Sequence, residues 1–172
     1  VQRHALFVTL VRLDSALQPA PYFARRWTWD ADHQAVTLHL DSTLRWHDGH
    51  PTTAHDVAFT LEAAADAELG SPRRGDVAVV RSGQVLDTVP RSRWRAHPFA
   101  TAPVGNGPFR FAARVAGRQW RFVRNPDFPA ALGGPPKLEQ LVVAVVDEAA
   151  TKFAGLVSGE LDLAGVSPTM AH

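Results

Sequence analysis

The sequence predicts an α/β fold built on a mixed β-sheet, and three patterns carry that prediction. Apolar and polar residues alternate over Val36–Leu40 just before a stretch with helical spacing. Phe109 and Phe111 are set against Trp120 and Phe122 across an Ala116-Gly117 turn. The order strand, helix, strand then recurs near the end, from Leu141 to Ala164. Strands and helices interleaved in this way fold as layers around one sheet. The composition suits such a core: 45% of the 172 residues are hydrophobic and 20% charged, with five Trp and nine Phe. That much apolar side chain argues against disorder, and the length fits one compact domain or one lobe of a larger molecule.

Each element follows from local chemistry. Trp27 and Trp29 alternate ahead of an Asp30-Ala31-Asp32 turn, and Val36, Leu38 and Leu40 alternate with Thr37 and His39, the period of a half-buried strand. Asp48-Gly49 signals a tight turn. Thr53 is a helix N-cap, Asp56 suits the electropositive first turn, and Val57, Leu61 and Ala64 or Ala65 form the apolar stripe. Residues 66–76 read as an exposed loop, Val77–Val80 as a short strand, and 81–103 as irregular chain with one short helix. Leu141–Val146 is apolar and mostly β-branched, which predicts a fully buried strand. Asp147 is then expected to cap a helix with Phe153, Leu156 and Val157 inward, stopped by Ser158-Gly159. Leu161–Ala164 would open a further strand.

Several function classes recede on the residues alone. With no cysteine, disulfides, thiolate chemistry and Cys-ligated zinc are excluded. A formal net charge of +1 asks for no nucleic-acid partner. Arginines interleave with aromatics at Arg91, Arg93 and Arg95 around Trp94, and at Arg118, Arg121 and Arg124 around Trp120 and Phe122; these read as a solvated sheet face. No apolar run approaches the ~20 residues that span a bilayer, and Val1-Gln2-Arg3-His4 is no signal peptide. His47, His50 and His55 lack the i, i+4 spacing of a helical metal pair and read as exposed histidines around a turn, with Asp48 or Asp56 as the only carboxylates near in sequence. Glu160 and Asp162 would share one strand face as surface residues. Ser158-Gly159 lacks the preceding glycine of a nucleophile elbow. Gly105-Asn106-Gly107-Pro108 could cradle a phosphate, yet it lacks the Gly-Lys-Ser/Thr ending, and Pro108 removes a donor. A rigid turn into the Phe109 strand fits it better, as Trp46-His47-Asp48-Gly49 fits a turn behind a core tryptophan.

Three blocks then resemble a known family. The first comprises Leu10-Val11-Arg12-Leu13-Asp14, Pro19-Ala20-Pro21-Tyr22-Phe23-Ala24, Trp27 with the strand to Leu40, and Leu44-Arg45-Trp46-His47-Asp48-Gly49-His50-Pro51-Thr52-Thr53-Ala54-His55-Asp56-Val57. The second is Pro103-Val104-Gly105-Asn106-Gly107-Pro108-Phe109-Arg110-Phe111 with Arg124-Asn125-Pro126-Asp127-Phe128, and the third runs from Asp147 through Ser158-Gly159-Glu160-Leu161-Asp162-Leu163. In this order they resemble the family 5 extracellular solute-binding proteins, which serve ABC importers of peptides and nickel. Asn106 stands where the family usually has Thr, and Phe128-Pro129 replaces its common Tyr-Trp.

The resemblance implies a mixed-sheet lobe of a periplasmic-binding-protein type II-like fold. Residues 1–172 would be part of the first of two lobes, without the family's first strand, an internal segment and the second lobe. It implies a binding protein rather than an enzyme, outside the cytoplasm, whose partners are an oligopeptide or similar solute and a membrane permease. No cofactor and no metal is expected. Asn106 and Gly107 are the expected ligand contacts. The alternative is a single-lobe protein-interaction domain of the same fold that binds no small ligand.

Overall fold

The computed structural model describes residues 2–65 and 90–165. A short helix α1 (Gln2–Leu6) leads into a small antiparallel pair, β1 (Val11–Leu13) with β2 (Pro19–Pro21). A second pair follows, β3 (Ala24–Trp29) with β4 (Val36–Leu40), in the register Trp27↔Leu38. Helix α2 (Ala54–Ala65) comes next, then two 3-10 turns at Arg91–Ala96 and Pro98–Ala100. The last part is a three-stranded antiparallel sheet, β5 (Phe109–Val115), β6 (Gln119–Arg124) and β7 (Gln140–Ala144), followed by helix α3 (Ala149–Ser158).

The expected hairpin is present. Gly117, at φ +68°, makes the β5–β6 turn, and Arg118 N–H closes it on Val115 O at 3.0 Å. A positive φ is costly for any side chain but not for glycine. Phe111 lies opposite Phe122, which is fully buried, and Trp120 stacks on Phe122 at 6.5 Å.

The core gathers from both halves of the chain. Val8, Phe23, Leu44, Trp46, Val57, Phe128 and Leu132 form one buried cluster, flanked by Phe7, Leu10, Tyr22, Leu38, Leu40 and Val104. Each large side chain buried there contributes about 1.5–3 kcal/mol. Trp46 is in the core as its sequence context implied. The turn behind it closes through Gly49 (φ +91°), whose N–H bonds to Trp46 O at 2.8 Å.

Helix α2 starts where Thr53 and Asp56 predict it, with reciprocal bonds. Asp56 Oδ2 accepts from Thr53 N–H at 2.8 Å and from Thr53 Oγ1 at 3.0 Å, and Asp56 N–H reaches Thr53 Oγ1 at 3.4 Å. This is a capping box with aspartate in place of the usual glutamate. Its buried stripe differs from expectation: Asp56, Val57, Thr60 and Ala63 face inward and Leu61 is exposed. Burying Asp56 for the cap rotates the inner face by about one residue. The strand expected at Val77–Val80 and the loop at 66–76 lie outside the described residues, as does the start of the irregular 81–103 stretch. Its described end holds two short 3-10 turns where one helix was expected.

Four further expectations are corrected. Among the described residues strand β7 pairs with β6, and it alternates in exposure, so Leu141–Val146 is not a fully buried strand; Val142 and Val145 are exposed. Asp147 does not cap α3. Val145 N–H still pairs with Arg118 O at 2.7 Å, which carries extended chain further, and Glu148 takes the N-cap position in extended conformation without a side-chain cap bond. Phe153 and Val157 are exposed rather than inward, and Gly155 is the buried residue of α3. Leu161–Ala164 is not a strand: Leu161 N–H turns back to Gly155 O at 2.9 Å and its side chain lies over Gly155. The predicted stop holds, since Gly159 sits at φ +78° with its N–H on Leu156 O. Every described strand pairing is therefore antiparallel, and the crossover that strand 161–164 would have supplied is not made.

Candidate functional site

The two glycine-bearing turns singled out in the sequence meet in space. His47 follows core residue Trp46, and its backbone N–H bonds to Gly105 O at 2.8 Å. Its ring completes the junction: Gly105 N–H donates to Nδ1 at 3.2 Å, and Nε2 lies 3.0 Å from Gly107 O. A backbone N–H on Nδ1 makes that nitrogen the acceptor, so the proton sits on Nε2 and donates to Gly107 O. Burial pushes the His47 pKa below its ordinary value and the Arg110 charge lowers it further; the Gly107 bond and Asp48 oppose this. A neutral imidazole joins the two segments, and the expectation of an exposed His47 is corrected. His50 is exposed as expected, with Nδ1 3.1 Å from Asp48 Oδ1, and His55 is exposed on α2. Among the described residues, no group of three His, Asp or Glu side chains is placed to hold a metal ion.

The other side of the Gly105–Gly107 loop lies against α1. Asn106 N–H and Gly107 N–H both bond to Leu6 O, at 2.9 and 2.7 Å. Asn106 is fully buried and its Oδ1 accepts from Val8 N–H at 3.0 Å. A Cβ on Gly105 would stand 2.0 Å from Leu6 O, and one on Gly107 2.6 Å from Leu6 C. Only glycine permits that approach. The loop's amide hydrogens go to the fold, not to an anion, which accounts for the failed resemblance to a phosphate cradle. Asn106 Nδ2 is buried and meets no acceptor among the described residues.

A cavity of about 280 Å³ opens beside this junction, lined by His47, Asp48, Ala102, Pro103, Val104, Arg110 and Phe111. Arg110 is the second residue of β5. Its Nε and Nη2 donate to Asn125 Oδ1 at 3.0 and 2.7 Å, and Nη2 also reaches Asp127 Oδ2 at 2.6 Å. Asn125 is itself buried and fixed by its Nδ2 bond to Gly107 O at 3.1 Å. Asn125 and Asp127 belong to the Arg124-Asn125-Pro126-Asp127-Phe128 block, so the motif positions a guanidinium. Sequence reasoning missed both His47 and Arg110. Arg110 carried a signal, an arginine within a run of aromatic strand residues, but nothing local told which acidic group would hold it.

The remaining charged candidates are dispersed. Glu160 and Asp162 are both exposed and lie in no strand. Arg114 stacks over Trp120 at 4.7 Å, Arg124 lies 4.0 Å from Glu139, and Arg118 and Arg121 are exposed.

The sequence profile of the bacterial extracellular solute-binding proteins, family 5, matches residues 18–90 and 76–171. The chain belongs to that family. Its members are solute-binding proteins, not enzymes. A Brucella ovis protein named as an ABC transporter peptide-binding protein is 28% identical over 170 positions, covering 80% of this chain and 32% of that relative. The periplasmic oligopeptide-binding protein OppA of Salmonella typhimurium is 36% identical over 67 positions, covering 39% of this chain and 12% of its own length. Among solved structures, the oligopeptide-binding protein AppA of Bacillus subtilis, in complex with a nonapeptide, superposes with a TM-score of 0.79 at 20% identity, over 92% of this chain and 37% of its own. NikZ of Campylobacter jejuni, in complex with Ni(L-His), gives 0.77 at 20% identity, over 98% of this chain and 39% of its own. The type II-like periplasmic-binding-protein fold is thus shared. The chain spans about a third of the length of the Brucella relative and less than two fifths of the two solved structures.

Proposed function

We propose that the full-length protein captures an oligopeptide or similar solute between two lobes, outside the cytoplasm, and delivers it to an ABC-importer permease. Residues 1–172 then supply part of the first lobe. The single observation that carries this reading is the family match across residues 18–171, with relatives named for peptide binding. Asn106 and Gly107 enter the reading differently. Gly107 gives the loop its shape, and Asn106, fully buried with Oδ1 on Val8 N–H, serves the reading by holding that loop in place.

The test is a thermal-shift titration of the full-length protein against a peptide library. A ligand held only by the folded state at 100 times its Kd stabilises by about 2.7 kcal/mol, several degrees in Tm. No shift with any peptide, alongside a shift with another solute class, would replace the peptide; no shift with any solute would overturn the reading. Cell fractionation of the native host tests the compartment.

A further inference from the structure

The cavity beside the His47 junction has a chemical character of its own. It is lined by one cation, Arg110, by a histidine that carries no charge, and by the apolar surfaces of Pro103, Val104 and Phe111, with Asp48 at one side. Both His47 ring nitrogens are already bonded to Gly105 and Gly107, so that side chain offers an occupant nothing polar. Asp48 Oδ1 is engaged by His50. Arg110 is different. Its Nε and Nη2 are held by Asn125 and Asp127, while its Nη1 meets no acceptor among the described residues. A guanidinium fixed on one edge with donors left on the other is pre-organised for a carboxylate. The cavity volume of about 280 Å³ lies at the lower bound of solute pockets, which run from about 300 Å³, and so suits one group of a solute rather than a whole peptide.

We propose that this cavity is a subsite in which Arg110 binds a carboxylate of the captured solute, with the adjoining apolar group against Pro103, Val104 and Phe111. The occupant is a carboxylate on an apolar residue, as at the end of a peptide. The inference rests on the solute-capture reading above and sharpens it.

The experiment is calorimetric titration of the full-length protein with a peptide that binds it, as the free acid and as the C-terminal amide. The free acid should bind ten- to a hundredfold tighter, roughly the worth of one charge-assisted hydrogen bond. In Arg110→Gln that preference should collapse, with amide affinity unchanged. The comparison on the unaltered protein needs no variant, so a misfolded Arg110→Gln does not spoil it. Equal affinity for acid and amide overturns the subsite and leaves solute capture standing. An acid preference that persists in a folded Arg110→Gln also overturns it, placing the carboxylate elsewhere. Failure of every peptide to bind removes both readings.

Discussion

Asn106 Oδ1 accepts a hydrogen bond from Val8 N–H at 3.0 Å, between residues 98 apart in sequence and both fully buried. That bond, with the two amides on Leu6 O, holds the Gly105–Gly107 loop to the N-terminal segment. Replacing Asn106 by Ala leaves Val8 N–H buried without its acceptor, which costs about 1–3 kcal/mol. Urea unfolding of Asn106→Ala should show that loss. Because Asn106 is fully buried, solute affinity measured on the folded protein should stay unchanged; a fall in affinity would show that the residue also touches solute.

Gly105 and Gly107 should tolerate no side chain. In Gly105→Ala the new Cβ meets backbone atoms of Leu6, which have no flexible end to move aside. Forced repacking of this kind costs about 1–3 kcal/mol or more. A midpoint shift in urea at constant m-value checks it. Gly117→Ala, where a Cβ meets nothing within 4 Å, is the control; it should lose only about 1 kcal/mol, from its positive φ.

The His47 junction makes stability depend on pH. The folded state holds the His47 pKa below the ordinary 6.5, so the unfolded chain takes up the proton first. The stabilisation is fully present above pH 6.5 and is lost as pH falls from there through the folded-state pKa. Protonation would also put a hydrogen on Nδ1, where Gly105 N–H now donates. Melting temperature followed from pH 7.5 to 5 should fall more steeply in the unaltered protein than in His47→Gln. Parallel profiles would remove His47 as the cause.

Asp56 closes a buried junction of its own. Its Oδ2 serves Thr53 N–H, Thr53 Oγ1 and, at 3.4 Å, Trp46 Nε1. Asp56→Ala removes the cap and leaves buried donors unmet, a loss of about 2–3 kcal/mol. Asp56→Asn keeps an acceptor oxygen and should lose about half of that. Equal losses in chemical denaturation would show that the charge, not the hydrogen bonds, is what matters.

What the sequence made legible was local. The Val36–Leu40 strand, the Thr53–Asp56 cap, the Ala116-Gly117 turn and the Gly159 stop each depend on neighbouring residues, and each is where chemistry puts it, although β4 does not alternate in burial and Val36 is exposed. The misreadings depend on distant partners. Leu141–Val146 reads as buried because its residues are apolar, but burial depends on what packs on each face of the sheet, and Val142 and Val145 are exposed. Leu161 opens an alternating apolar pattern, yet the bare Gly155 surface six residues back captures it. The candidate site shows the same limit. Asn106 and Gly107 stood out by motif, while His47 and Arg110 gained their roles from contacts 58 to 60 and 15 to 17 residues away.

The attachment of the Leu6–Val8 segment to Asn106 also sets an order of events during synthesis. The early residues emerge from the ribosome long before their acceptor exists, so α1 and the Val8 side of the core must wait, unprotected, for the loop to arrive. Closing so long a span is entropically costly and slow. Nascent chains stopped short of Gly105 should therefore show rapid amide exchange at Val8, and chains carrying Asn106 free of the exit tunnel should show it protected. Until then the Leu6–Val8 segment lacks its native partners, and the asparagine acts as the late fastener that supplies them.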